Sequence, residues 1–128
     1  MVAGEIMTID EILNMPAGRE MDALVAEKVM GWMPKNNLYW KDNEGSFAGW
    51  ATNYPEYEVK PFNPSIDIAA AWDVVVKMAR TTNVNLAWIN SAKGWLWNFK
   101  IGRTWASSDT APLAICRASL LAVMESEE

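Results

Sequence analysis

The sequence contains no histidine. That removes His-dependent triads, the usual general base near neutral pH and most zinc or iron sites together. Any catalysis would have to use carboxylates, lysine, tyrosine or a lone thiol. Cysteine is almost as scarce. Cys116 stands alone, so there is no intramolecular disulfide, and a reducing cytoplasm is the expected setting. Runs of positive charge are missing too: 11 Lys and Arg face 16 Asp and Glu, a formal charge of −5. Nucleic-acid binding by bulk charge is disfavoured, while a local basic pocket remains open. No stretch approaches the ~18 consecutive apolar residues of a membrane span. The first residues carry Glu5 and Asp10 and lack a basic start followed by an apolar run, so no signal peptide is expected.

What is abundant is apolar and aromatic material. Of 128 residues, 51% are hydrophobic and eight are tryptophan. A chain of this size is most simply one domain, residues 1–128, and folding buries ~65–70% of its extended surface.

The clearest pattern is a hairpin over Val84–Ile101. Trp95, Trp97, Phe99 and Ile101 alternate with Leu96, Asn98 and Lys100, and Val84, Leu86 and Trp88 alternate with Asn85, Ala87 and Ile89. A period of two predicts strands covered on at least one face, joined by a bulged turn over Asn90–Gly94 with Gly94 at φ > 0. Thr8-Ile9-Asp10-Glu11 is a capping box and should open a short helix with Ile9, Ile12 and Leu13 inward.

A second helix is expected from Pro16 to about Trp32, burying Met21, Leu24, Val25, Lys28 and Trp32, with Asp22 mostly opposite. Asn37–Lys41 and Ser46–Trp50 read as two strands around an Asp42–Gly45 turn, followed by a long connection to Asn63. A third helix should be capped by Ser65 and bury Ile68, Ala71, Trp72, Val75 and Ala79. Residues 103–108 read as a loop. A last helix from Asp109–Pro112 should turn Leu113, Cys116, Leu120 and Met124 inward. The order α-α-β-β-α-β-β-α predicts an α+β fold: a small antiparallel sheet packed with helices in an α/β sandwich.

Three segments, MPAGREMDALVAEKVMGW (Met15–Trp32), FNPSIDIAAAW (Phe62–Trp72) and TAPLAICRASLLAVME (Thr110–Glu125), together resemble the tailed-phage and prophage family called the phage ABA sandwich domain. They cover over a third of the chain in the family's order. The resemblance implies an α/β sandwich of phage origin, in a family most of whose members have no assigned role. Several small phage proteins of this size blunt bacterial immunity by sequestering nucleotide signals, and the analogy extends to some relatives in this family.

Set beside that analogy, the residues offer candidate sites, each with an ordinary alternative. Helix starts at Pro16–Arg19, Asn63–Ser65 and Thr110–Pro112 present free N–H groups suited to phosphate. Gly18 would allow close approach and Arg19 a bidentate contact; ordinary capping explains the same residues. Arg117, inside the apolar run Leu113–Val123, needs either an anionic ligand or a salt bridge to Asp22, Asp67 or Glu20, unless it snorkels to water. Tryptophans in excess of a core, Trp88 and Trp105 among them, and Tyr54 could stack on a base at ~1–3 kcal/mol each or build an oligomer interface. For Trp32, Trp72 and Trp97 core packing is the expectation.

Asp22, Asp67, Asp73 and Asp109 have no spacing suited to metal binding or acid–base work, and Cys116 lacks a partner that would activate it. The expected protein is therefore not an enzyme and uses no cofactor or metal. It would bind a nucleotide-derived host immune signal in the host bacterial cytoplasm, as a homo-oligomer, without nucleic-acid or membrane contact. Candidate ligand-binding residues are Arg19, Gly18, Ser65, Asn63, Arg117, Trp88, Trp105 and Tyr54. The alternative is a phage interaction, structural or packaging accessory protein that uses an exposed aromatic patch.

Overall fold

A computed structural model describes residues 8–35, 38–40, 47–49 and 62–126. α1 (Ile9–Asn14) opens on the expected capping box: Glu11 N–H donates to Thr8 Oγ1 at 3.1 Å and Thr8 N–H to the Glu11 carboxylate at 3.2 Å. Ile12 is buried, but Ile9 and Leu13 are exposed, contrary to expectation. A helix of under two turns has room for one inward position on this narrow contact.

α2 (Arg19–Leu24) starts later than Pro16, with Gly18 at its N-cap. It runs into a π-helical turn, Val25–Val29, marked by Met30 N–H bonding to Val25 O at 3.0 Å. Gly31, in the left-handed region at φ +75°, stops it. The buried stripe is Met21, Asp22, Val25, Ala26 and Val29, with Lys28 exposed. Asp22 thus faces inward, against expectation, because a buried donor awaits it.

Three short strands follow, β1 (Met33–Lys35), β2 (Leu38–Trp40) and β3 (Phe47–Gly49), paired antiparallel in that order. β2 and β3 are the expected pair, and β1 is additional. The anticipated Asp42–Gly45 turn and nearly all of the connection to Asn63 lie outside the described residues.

α3 (Ile68–Ala79) is capped by Asp67, whose side chain accepts from Ala69 N–H at 3.1 Å, and not by Ser65. Its buried face is Ala70, Ala71, Val74 and Val75. Trp72, expected in the core, is 52% exposed, with Ile68 and Ala79 exposed as well. The inward stripe is rotated toward smaller side chains, which suits a helix packed directly on another helix.

The second sheet has the order β4 (Val84–Ser91), β5 (Gly94–Ile101), β6 (Thr104–Ser108), all antiparallel. Pairing runs from Val84↔Ile101 to Ser91↔Gly94, so the turn is Ala92-Lys93 alone, tighter than anticipated. Ser91 Oγ closes it by accepting from Lys93 N–H at 3.1 Å and donating to Gly94 O at 2.7 Å. Gly94 does adopt a positive φ, +102°. Residues 104–108 form a strand where a loop was expected. Its inward positions are Thr104, Ala106 and Ser108, with Trp105 outward, so a polarity pattern hides the alternation.

α4 (Ala111–Ser126) occupies the middle of the molecule. It packs on β5 and β6 and also meets α1, α2, the π turn and α3. The expected inner stripe of Leu113, Cys116, Leu120 and Met124 is too narrow. Leu113 through Cys116 are all buried, and so are Ala118, Ser119, Leu120 and Leu121. A helix covered on all sides must be apolar all round, which explains why Arg117 is its one charge between Ala111 and Val123. Each buried Leu or Ile here contributes about 1.5–3 kcal/mol, and Phe99, wholly buried, meets this helix layer from the sheet.

Candidate ligand pocket

α3 and β5 end close together, and the geometry of their turns follows from the backbone. Met78 O accepts from both Thr81 N–H (3.3 Å) and Thr82 N–H (3.2 Å), winding down the end of α3. Gly102, left-handed at φ +60°, turns β5 into β6 and donates its N–H to Asn83 O at 2.9 Å. A Cβ on Gly102 would lie 3.3 Å from Thr82 Cγ2, so the two turns are packed as well as bonded. The last turns of α4 close the third side.

Between them lies a cavity of about 600 Å³. Its wall is apolar, with Val29, Met78, Ile101 and Ala122. Its polar lining includes Lys77, Arg80 and Arg103 against a single carboxylate among the described residues, Glu125. Glu125 is already engaged, accepting a hydrogen bond from Thr104 Oγ1 at 2.5 Å. Among the described residues none of the three cations forms an ion pair. In a chain of net charge −5, this is a locally positive concavity of the size that takes small ligands. Lys77, Arg80 and Arg103 are all exposed, and Arg103 falls in the segment expected to be a loop.

The candidates read from sequence are dispersed. Gly18 and Ser65, from two helix starts, do come together, but on each other: Gly18 N–H donates to Ser65 Oγ at 2.9 Å. Ser65 is buried and donates its own N–H to Asp22 Oδ1 at 2.8 Å. Burial pushes the Asp22 carboxyl above its ordinary range, and the Ser65 hydrogen bonds only partly offset it. Asn63 O accepts from Ile66 and Asp67 N–H groups, while its Oδ1 is buried without a partner. Arg19 is exposed at the first position of α2. Tyr54 lies outside the described residues.

Arg117 makes none of the expected salt bridges among the described residues. Its Nη2 donates to Met15 O at 3.1 Å and its Nη1 to Ser107 O at 3.4 Å, leaving Nε buried without a partner. Desolvation pulls its pKa below the usual arginine value, opposed by the charge of Asp109. It therefore clamps the α1–α2 link to edge strand β6, and Ser107 O is a carbonyl that an edge would otherwise leave open. Cys116 is fully buried, and that burial, with the Asp22 charge second, pushes its thiol far up. Such a thiol is inert.

Trp88 and Trp105 sit on opposite faces of the second sheet, as their register with Trp97 and Lys100 requires. Trp88 shares its face with Trp95 and Trp97: its ring is stacked 5.9 Å from Trp95 and tilted 5.2 Å from Trp97. Trp97 reaches the core, while Trp88 and Trp95 are 49% and 55% exposed at the hairpin's far end. Trp32 is partly buried and tilted against Phe62 at 4.5 Å. Among the described residues no three His, Cys, Asp or Glu side chains cluster to hold a metal, and no helix is long and apolar enough to cross a membrane.

A central helix flanked by an antiparallel sheet and a helical layer is the architecture of a small α+β sandwich domain. The sequence profile described as "Phage ABA sandwich domain" matches residues 23–120, and the chain belongs to that family. Among solved structures it resembles a phage protein from Bacillus cereus ATCC 14579, with a TM-score of 0.58 and 23% identity over 84% of this chain and 92% of that one. At that identity the likeness is one of fold. No curated protein matches the chain.

Proposed function

We propose that this phage protein binds and sequesters a small nucleotide-derived signal of host immunity in the bacterial cytoplasm, without cleaving it. The observation that carries the reading is the cavity near the end of α3, where an apolar wall meets three cations free of ion pairs among the described residues. A nucleotide asks for that combination, a surface for its base and positive groups for its phosphates. Binding without turnover is favoured because the lining offers neither a histidine nor a thiol, and Cys116 is walled into the core. A homo-oligomer remains part of the proposal, and light scattering on the eluting protein would count its subunits.

The test is to mix the protein with extracts of signalling bacteria, reisolate it, heat it and analyse what is released by mass spectrometry. An intact nucleotide is the expected result. A cleaved product would replace sequestration with catalysis, and a co-purifying host protein with no nucleotide would reject the proposal. That last outcome would favour the second reading, a protein-interaction or packaging accessory role, for which the half-exposed Trp88 and Trp95 are the supporting feature.

A further inference from the structure

We infer that Lys77, Arg80 and Arg103 form a phosphate subsite at the rim of this cavity, taking the terminal phosphates of a nucleotide whose base lies against Val29, Met78, Ile101 and Ala122. The inference deepens the sequestration reading and rests on it for the identity of the base-bearing part. Two observations single out these cations. First, they come from separate elements that the fold fastens together: the Gly102 N–H bond to Asn83 O and the close packing of Gly102 on Thr82 hold the Arg103 turn against the end of α3. The tether fixes the backbone from which Arg80 and Arg103 reach out, so both side chains can approach one anion without the turns having to move together. Second, the lone carboxylate among the described lining residues is drawn toward Thr104 Oγ1 and pairs with none of them.

Lys77 and Arg80 have an ordinary duty as well, answering the negative end of α3. Arg103 has no such duty, since it stands on a turn between strands. Its placement beside the other two is what a helix-end account leaves unexplained. Thr81 and Thr82 line the same rim and add hydroxyls that can donate to phosphate oxygens.

The experiment is calorimetric titration of the full chain with inorganic pyrophosphate and, separately, with ATP as a probe nucleotide. Wild type should bind both, ATP more tightly. Each of Arg80→Ala and Arg103→Ala should weaken pyrophosphate about tenfold, as expected for losing a charge-assisted contact, with partial recovery in Arg80→Lys and Arg103→Lys. Glu125→Gln should strengthen it, because a nearby negative charge is gone. Lys93→Ala removes the same charge at the opposite end of the β4–β5 hairpin and should change nothing.

A loss in Lys93→Ala equal to that in Arg103→Ala would reduce the effect to net charge and overturn the subsite. Failure of wild type to bind either probe would also overturn it, and a nucleotide released by heating would then place sequestration elsewhere. Pyrophosphate bound at this rim with no gain for ATP, and no nucleotide released, would keep the subsite and remove the nucleotide reading.

Discussion

Replacing Asp22 by asparagine should leave the protein as stable as wild type at pH 7.5, or more so, whereas alanine there should cost about 2–4 kcal/mol from a stranded donor and a void. The carboxylate is 2% exposed and accepts Ser65 N–H at 2.8 Å. Desolvation is the largest influence on it and raises its pKa, more than the Ser65 hydrogen bonds lower it. In the folded chain the proton is therefore held more tightly than in the unfolded one. Stability falls as pH rises from the ordinary aspartate range through the raised folded value, and the full cost of the buried charge is present at neutral pH.

Asparagine keeps the shape and the Oδ1 acceptor and carries no charge to desolvate, and its Nδ2 can donate toward the Ser65 hydroxyl, which also touches the carboxyl group. What it gives up is the difference between a charged and a neutral acceptor, about 1 kcal/mol. Urea unfolding followed by tryptophan fluorescence at about pH 4, near the ordinary aspartate value, and at pH 7.5 measures all three proteins. Wild type should lose stability between these pH values relative to Asp22→Asn. If Asp22→Asn proved as unstable as Asp22→Ala at pH 7.5, the charge itself would be required and the reasoning would fail.

Ser119 is fully buried with an Oγ that has no hydrogen-bond partner, so Ser119→Ala should raise stability by about 1 kcal/mol in the same urea assay. Gly102→Ala forces a left-handed alanine and a tight contact with Thr82, costing about 1–2 kcal/mol and lowering the thermal midpoint. Arg117→Met leaves Met15 O and Ser107 O without their donor and should cost about 2 kcal/mol, with Arg117→Lys intermediate. A side chain held in reserve for a ligand would show no such loss, and thermal unfolding separates the two cases.

The parts of this fold that depend on neighbours in sequence were readable there. The Thr8–Glu11 capping box and the pairing of β4 with β5 need only local chemistry, and both are found, although burial follows the alternation only toward Phe99 and Ile101 and leaves Trp88 and Trp95 half exposed. What failed depends on partners distant in the chain. β6 reads as a loop in the sequence because its inward Thr104 and Ser108 are polar and its one large residue, Trp105, points out. Trp72 falls on the expected buried stripe of α3 by its spacing, although α3 presents alanine and valine inward. Asp22 is expected mostly opposite the buried stripe of α2, although Ser65, 43 positions away, supplies the donor that lets it be buried.

The cavity was illegible for the same reason. Lys77, Arg80 and Arg103 are unremarkable singly, and only the pairing of two turns makes them neighbours. An acidic chain with cations placed at the ends of successive elements is the faint signal that was present.

The position of α4 has a consequence in time as well as in space. Of the described elements it is the last to leave the ribosome, yet the sheet and the other helices meet through it. Until residues 111–126 emerge, the buried faces of α2, α3 and β5 have no common partner. Cooperative folding therefore waits until α4 has been made and has emerged, and a nascent chain stalled near residue 110 should be cleaved by protease at sites that the released protein protects.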